Sequence, residues 1–169
     1  MTHLVYDLAI TPLQQSLKNL DAIVGKAQVH VSEDEHLEPV TFVQGRLYPN
    51  MRPFLFQIQV ATDTAKGAAA RLSGNDVPVW ADDERSLEDI RARINKAVEY
   101  LAGFRPDDFD GADRKPIELK LGSQTMTFTG SSYIAGFVLP NFYFHMTTAY
   151  NILRHMGVDV GKRDFLAGL

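Results

Sequence analysis

Apolar residues recur along this chain with two different periods, and the change between them divides it into elements. Leu13, Leu17, Leu20 and Val24 keep helical spacing, with Gln15, Lys18 and Asn19 on the other side. Val5, Leu8 and Ala9 already follow that period, so a first helix is expected over Thr2–Val29, bent where Pro12 enters it. The acidic stretch His30–Pro39 reads as a solvated connection, and Thr41–Leu47 as a short helical turn. A second long helix is predicted from Asn50 to Leu72, where Phe54, Ile58, Ala61, Ala65, Ala68 and Leu72 form one stripe. Its alanines permit close approach by a neighbouring helix, and Ser73-Gly74-Asn75 supplies the stop. Asp76–Glu84 reads as a loop whose Trp80 packs over an end of the bundle. Ser86-Leu87-Glu88-Asp89 resembles a capping signal for a third helix through Leu87, Ile90, Ile94, Val98 and Leu101 to Ala102. The other face of that helix, with Arg91, Arg93, Lys96 and Glu99, reads as a solvated surface.

The period then drops to two. Ile117, Leu119 and Leu121 alternate with Glu118 and Lys120, and Thr125, Thr127 and Thr129 alternate with Met126 and Phe128. With Gly122-Ser123-Gln124 between them, the two runs predict a β-hairpin, which must pack on helices because two strands alone are marginal. A fourth helix follows from Ser131 to Gly157, bent or divided by Pro140, and Val158–Leu169 forms an irregular arm lying on the body.

Composition changes this picture only by exclusion. With 169 residues the chain reads as one domain, 1–169, long enough to bury a core. A net charge of −4 with no basic stripe argues against nucleic acid as a partner. The absence of cysteine removes disulfides and thiol chemistry. No apolar run reaches the roughly 18 residues that cross a bilayer, and no secretory signal is visible, so a cytoplasmic protein with no membrane association is expected.

Most motif-like stretches fail on spacing. Centring a calcium loop on Gly111 aligns Asp108 and Asp110 but puts Pro106 and Ile117 where oxygen ligands are needed. Gly157–Lys162 has three residues between its glycines instead of four, and Arg163 where Ser or Thr belongs. The candidate site lies instead in Asn141–Gly157, NFYFHMTTAYNILRHMG, a helix apolar on nearly every side that carries His145 in its midst. Asn141 stands one turn before His145 and Thr148 one turn after, while Gln57 is the polar residue set most clearly on the stripe of the second helix. Faces brought together by a bundle place Gln57, Asn141, His145 and Thr148 around one small interhelical pocket. His145 is its only general acid or base candidate, so the catalytic residue if there is one, and a small molecule is the expected ligand. The alternative is a polar network that satisfies itself and fixes packing in an interaction protein.

YPNMRPFLFQIQVATDTAKGAAARLSG, together with NFYFHMTTAYNILRHMGVDVGKRDFLAG, resembles an uncharacterised bacterial family among the DinB/YfiT-like proteins. The resemblance spans nearly the whole chain. It implies an all-α four-helix bundle with an up-down-down-up path, here with a short β-hairpin before the last helix, and a homodimer. The wider superfamily holds a divalent metal with three histidines, one from the second helix and an HxxxH pair from the last, and some members are thiol-dependent transferases or hydrolases. In this sequence Gln57 stands at the second-helix position, and His145 matches one histidine of the pair, with Ala149 four residues later and Asn141 four residues earlier in place of the other. The expectation is therefore a degenerate site with no metal ligand set. A divalent metal is left open and not favoured, and a third alternative would recruit Asp63 or the loop around His30–His36 to a metal-dependent hydrolase or transferase.

Overall fold

The structure, a computed structural model, describes residues 3–167. Thr2, at the expected start of the first helix, Gly168 and Leu169 of the expected arm, and the Leu121 side chain lie outside the described residues. Four long helices form the bundle: α1 (Thr11–Ser32), α3 (Phe54–Ser73), α4 (Leu87–Ala102) and α6 (Leu139–His155). Short helices α2 (Pro39–Val43), α5 (Gly130–Tyr133) and α7 (Lys162–Phe165) join them, with a hairpin of β1 (Pro116–Leu121) and β2 (Gln124–Thr129) before α5. The hairpin is antiparallel, with Ile117 opposite Phe128 and Leu119 opposite Met126. Ile117 and Leu119 are buried, so its inner face joins the core.

The predicted elements hold with shifted edges. α3 starts at Phe54 instead of Asn50, because Pro53 takes the N-cap position with an extended ψ of 170°. α4 begins on the predicted cap: Ser86 accepts from the Asp89 amide, and the Asp89 carboxylate accepts from the Ser86 amide. The final arm is less irregular than its sequence suggests. It contains the single turn α7, and buried Asn19 donates to the Phe165 and Ala167 carbonyls to hold it down.

Both prolines of the long helices enter through the same device. Tyr6–Ile10 and Ile134–Val138 are π turns, each ending one residue before an X-Pro pair, Thr11-Pro12 and Leu139-Pro140. The Thr11 amide reaches back to the Tyr6 carbonyl and the Leu139 amide to the Ile134 carbonyl. A proline ring collides with the carbonyl four residues earlier, here Leu8 or Gly136, and a widened turn relieves that collision without ending the helix. Helical backbone is thus continuous from Leu4 to Ser32 and from Gly130 to His155.

Side-chain pairs between helices give the path. Gln14 bonds to Val98, Asp21 to Arg91 and Gln28 to Glu88, so α1 and α4 run antiparallel. Asn141 bonds to Thr64 and His145 to Gln57, so α3 and α6 are antiparallel too. Gln59 meets Glu84 before α4, and Thr62 meets Arg93 within it, so α3 and α4 run the same way. This is the up-down-down-up order. It obliges residues 74–86 to return along the full length of α3. An extended chain of that length reaches about 40 Å, against about 30 Å for a twenty-residue helix.

Candidate functional site

α3 is held to the continuous helix of α5 and α6 by an apolar seam and by three polar rungs. Buried Ala61, Ala65, Ala68 and Ala69 let the α6 backbone come close. The Arg71 guanidinium donates to the Tyr133 hydroxyl at 3.1 Å, Asn141 Nδ2 donates to Thr64 Oγ1 at 2.8 Å, and His145 Nδ1 lies 2.8 Å from Gln57 Oε1. Tyr133 precedes Asn141 by eight residues where two α turns need about seven. The π turn at Ile134–Val138 takes up the extra residue, so both side chains face α3.

The hydrogen bonds fix the state of His145. Gln57 Nε2 donates to the Arg52 carbonyl at 3.0 Å, which orients the amide with Oε1 toward the imidazole. A carbonyl oxygen only accepts, so His145 Nδ1 carries the proton and Nε2 keeps its lone pair. Among the described residues nothing hydrogen-bonds to that Nε2. The ring sits edge-on to Phe56 and Phe144, whose centroids are 6.1 Å and 5.1 Å away. Burial lowers the His145 pKa from its ordinary value, so the ring stays neutral near pH 7. The result is a half-buried imidazole presenting an acceptor, or a base, held by an amide that is itself anchored.

The four expected site residues are thus only partly brought together. Gln57 and His145 form one unit, and Asn141 stands one turn away, occupied with Thr64. Thr148 is buried, and its hydroxyl donates to the Phe144 carbonyl of its own helix at 2.7 Å. The clefts of about 450 Å³ beside Trp80 and about 350 Å³ beside Phe165 are lined by other residues.

One cluster escaped the periodicity altogether. Arg93, expected on a solvated face, is 4% exposed. Its Nε donates to Thr62 Oγ1 at 2.9 Å, Nη1 to Glu84 Oε1 at 2.7 Å and to the Ala81 carbonyl at 2.9 Å, and Nη2 to Asp63 Oδ1 at 3.0 Å. Lys66 adds a 2.7 Å bond to Asp63 and lies 4.5 Å above the Trp80 ring, with the Lys96 ammonium 4.7 Å from the same ring. Trp80 therefore packs on the middle of α3 and α4, not over an end of the bundle. The signal was available: Arg93 is one turn from both Ile90 and Ala97, at the edge of the apolar stripe. For Glu84, burial is the largest single influence and raises its pKa. The hydrogen bonds from Arg93 and Gln59, with the charge of Arg93, outweigh it and hold the carboxyl below its usual range. Arg93 clamps the returning segment 74–86 to the bundle.

Metal-type donors come together elsewhere. Among the described residues, the one set of three within 4.8 Å is His3, Asp107 and Asp110. The His3 nitrogens lie 3.6 Å from each of these exposed carboxylates, at the end of the bundle away from Gln57.

Residues 5–166 match the family described as a domain of unknown function, DUF1993. The chain belongs to this family. A crystal structure of a DinB family member protein from Shewanella denitrificans is similar to this DUF1993 chain with a TM-score of 0.88 and 36% identity, over 98% of this chain and 93% of that one. No curated protein matches it. The DinB-like likeness raises the question of a three-histidine metal site, and the residues of this DUF1993 protein do not fit one. Gln57 Oε1 accepts the Nδ1 proton of His145, so that nitrogen has no lone pair to offer an ion. Asn141 is turned to Thr64, and Ala149 stands one turn beyond His145. A divalent transition metal favours several imidazole or charged donors, and His145 Nε2 would stand alone. Asp63, the acid considered for recruitment, is held by Lys66 and Arg93.

Proposed function

We propose that this DUF1993 protein binds a small molecule at the α3–α6 seam, with His145 Nε2 as the group that receives a ligand hydrogen. The observation that supports this is the state of the imidazole: anchored Gln57 engages Nδ1 and leaves Nε2 with its lone pair and no partner among the described residues. An imidazole held in a single neutral tautomer is suited to accept a hydrogen bond or to take a proton from a bound hydroxyl or amine. His145 is the general-base candidate and Gln57 positions it, with Asn141 and Thr148 one turn to either side on the same helix.

A second reading takes the rungs as wholly structural, in a protein whose role is interaction. The Arg71–Tyr133 and Asn141–Thr64 rungs, which pair side chains across the seam, and the 62% exposed Phe144 beside His145 favour it. A homodimer and a cytoplasmic location belong to either reading, and both rest on the family likeness and the sequence. Thermal-shift screening of wild type and His145→Ala against a metabolite panel separates the two. A ligand shift lost in His145→Ala, at unchanged stability without ligand, supports the site. Destabilisation of His145→Ala with no ligand shift in either protein supports the structural reading. Light scattering that finds a monomer at micromolar concentration removes the dimer from both.

A further inference from the structure

The acids of this chain are unevenly placed. None of its 21 Asp and Glu residues falls within 39–62 or within 119–158, although the net charge is −4. These two segments supply α2, the first half of α3, β2, α5 and α6, and α3 packs against α6 where His145 sits. The first acid beyond them on α3, Asp63, is tied to Lys66 and Arg93. The segments that carry Gln57 and His145 therefore contribute no unpaired carboxylate to the seam, in an otherwise acidic molecule.

Arg52 adds a cation to that setting. Its guanidinium is exposed, forms no ion pair among the described residues, and stands 5.2 Å from the centre of the Phe56 ring. Phe56 in turn meets the His145 ring edge-on, and the Arg52 carbonyl is the anchor of Gln57. A cation with no ion-pair partner among the described residues, resting on the ring that a neutral acceptor also meets, has the chemistry to hold an oxyanion.

We infer that the His145 site takes a small organic oxyanion with a flat apolar body and a hydroxyl, Arg52 receiving the anion and His145 Nε2 the hydroxyl hydrogen. Phe56 and exposed Phe144 flank the ligand body. This inference rests on the reading of His145 as a ligand acceptor, and it adds the charge of the ligand.

The test follows the His145 imidazole nitrogens by long-range proton–nitrogen NMR in the full chain. The probes are 4-hydroxybenzoate, its neutral isostere 4-hydroxybenzamide, and 4-hydroxyphenyl phosphate. The expected result is a saturable shift of Nε2 with 4-hydroxybenzoate or the phosphate, the tighter of the two assigning a carboxylate or a phosphate ester. The amide, and Arg52→Gln with the better anion, should each bind about tenfold more weakly, a difference of about 1.4 kcal/mol. Arg52 is exposed and only its backbone holds Gln57, so the variant keeps the imidazole in place, which its unperturbed nitrogen shifts verify. If the amide binds as well as the acid, or Arg52→Gln changes nothing, the anion inference is overturned while the acceptor reading stands. If no probe moves Nε2, both fall.

Discussion

At the scale of single residues, the decisive object is the pair Gln57–His145. Its residues could be picked out because each interrupts an otherwise apolar helical stripe. Their tautomer could not, because it depends on the Arg52 carbonyl that orients the Gln57 amide. The pair makes a direct prediction. Burial depresses the His145 pKa, so its folded value lies below that of the unfolded chain, near 6.5. The unfolded chain then binds more protons in that window, and the contribution to stability is complete above about pH 6.5 and lost as pH falls below it. Proton NMR titration of the imidazole Cε1–H should show a midpoint below 6.5. Gln57→Glu places a carboxylate against Nδ1–H and should move that midpoint upward. A midpoint that stays put in Gln57→Glu would mean the two side chains do not meet in solution. Arg93 is illegible at this same scale, because a charged residue at the edge of a stripe has the pattern of a solvated one whether or not other atoms close over it.

Among elements, the helices were legible and their irregularities were not. Pro12 and Pro140 announce that something happens near residues 8 and 136, yet a kink, a break and a π turn share that signal. The structure chooses the π turn twice, and the second sets the phase between Tyr133 and Asn141. Two glycines near that region are opposites. Gly136 sits in the π turn with nothing within 4 Å of a built Cβ, so Gly136→Ala should stabilise by about 0.5–1 kcal/mol through the unfolded chain. Gly130, at the start of α5, brings its Cα against the Ala112 carbonyl, where a built Cβ would overlap that oxygen. Gly130→Ala must push the hairpin-to-helix junction away from residues 112–113 and should cost about 2 kcal/mol or more. Urea denaturation of the two variants checks both signs, and a neutral Gly130→Ala would contradict the close approach.

Over the whole molecule, the up-down-down-up path came with the family likeness and not with the periodicity, since hydrophobic stripes do not record helix direction. That path places α3 and α4 parallel and leaves segment 74–86 to be fixed by side chains. Arg93 supplies most of the fixing, through Glu84, Ala81 and Asp63, and the Glu84 side chain is only 8% exposed. Removing the cation alone leaves nearly buried Glu84 without its partner, so Arg93→Met should destabilise by roughly 3–5 kcal/mol. Adding Glu84→Gln removes the stranded charge and should recover part of that loss, a coupling that a double-mutant cycle measures. The latch should also respond to acid. The folded pKa of Glu84 lies below its ordinary value, so its contribution is intact above about pH 4.3 and lost as pH falls through the folded value. Limited proteolysis should then cut within 74–86 faster in Arg93→Met than in wild type at neutral pH. An acid-active protease such as pepsin should attack the same segment of wild type increasingly as the pH drops below 4. Cleavage that instead begins in the hairpin at Gly122-Ser123 would show that β1–β2, and not the returning segment, is the first part of the bundle to open.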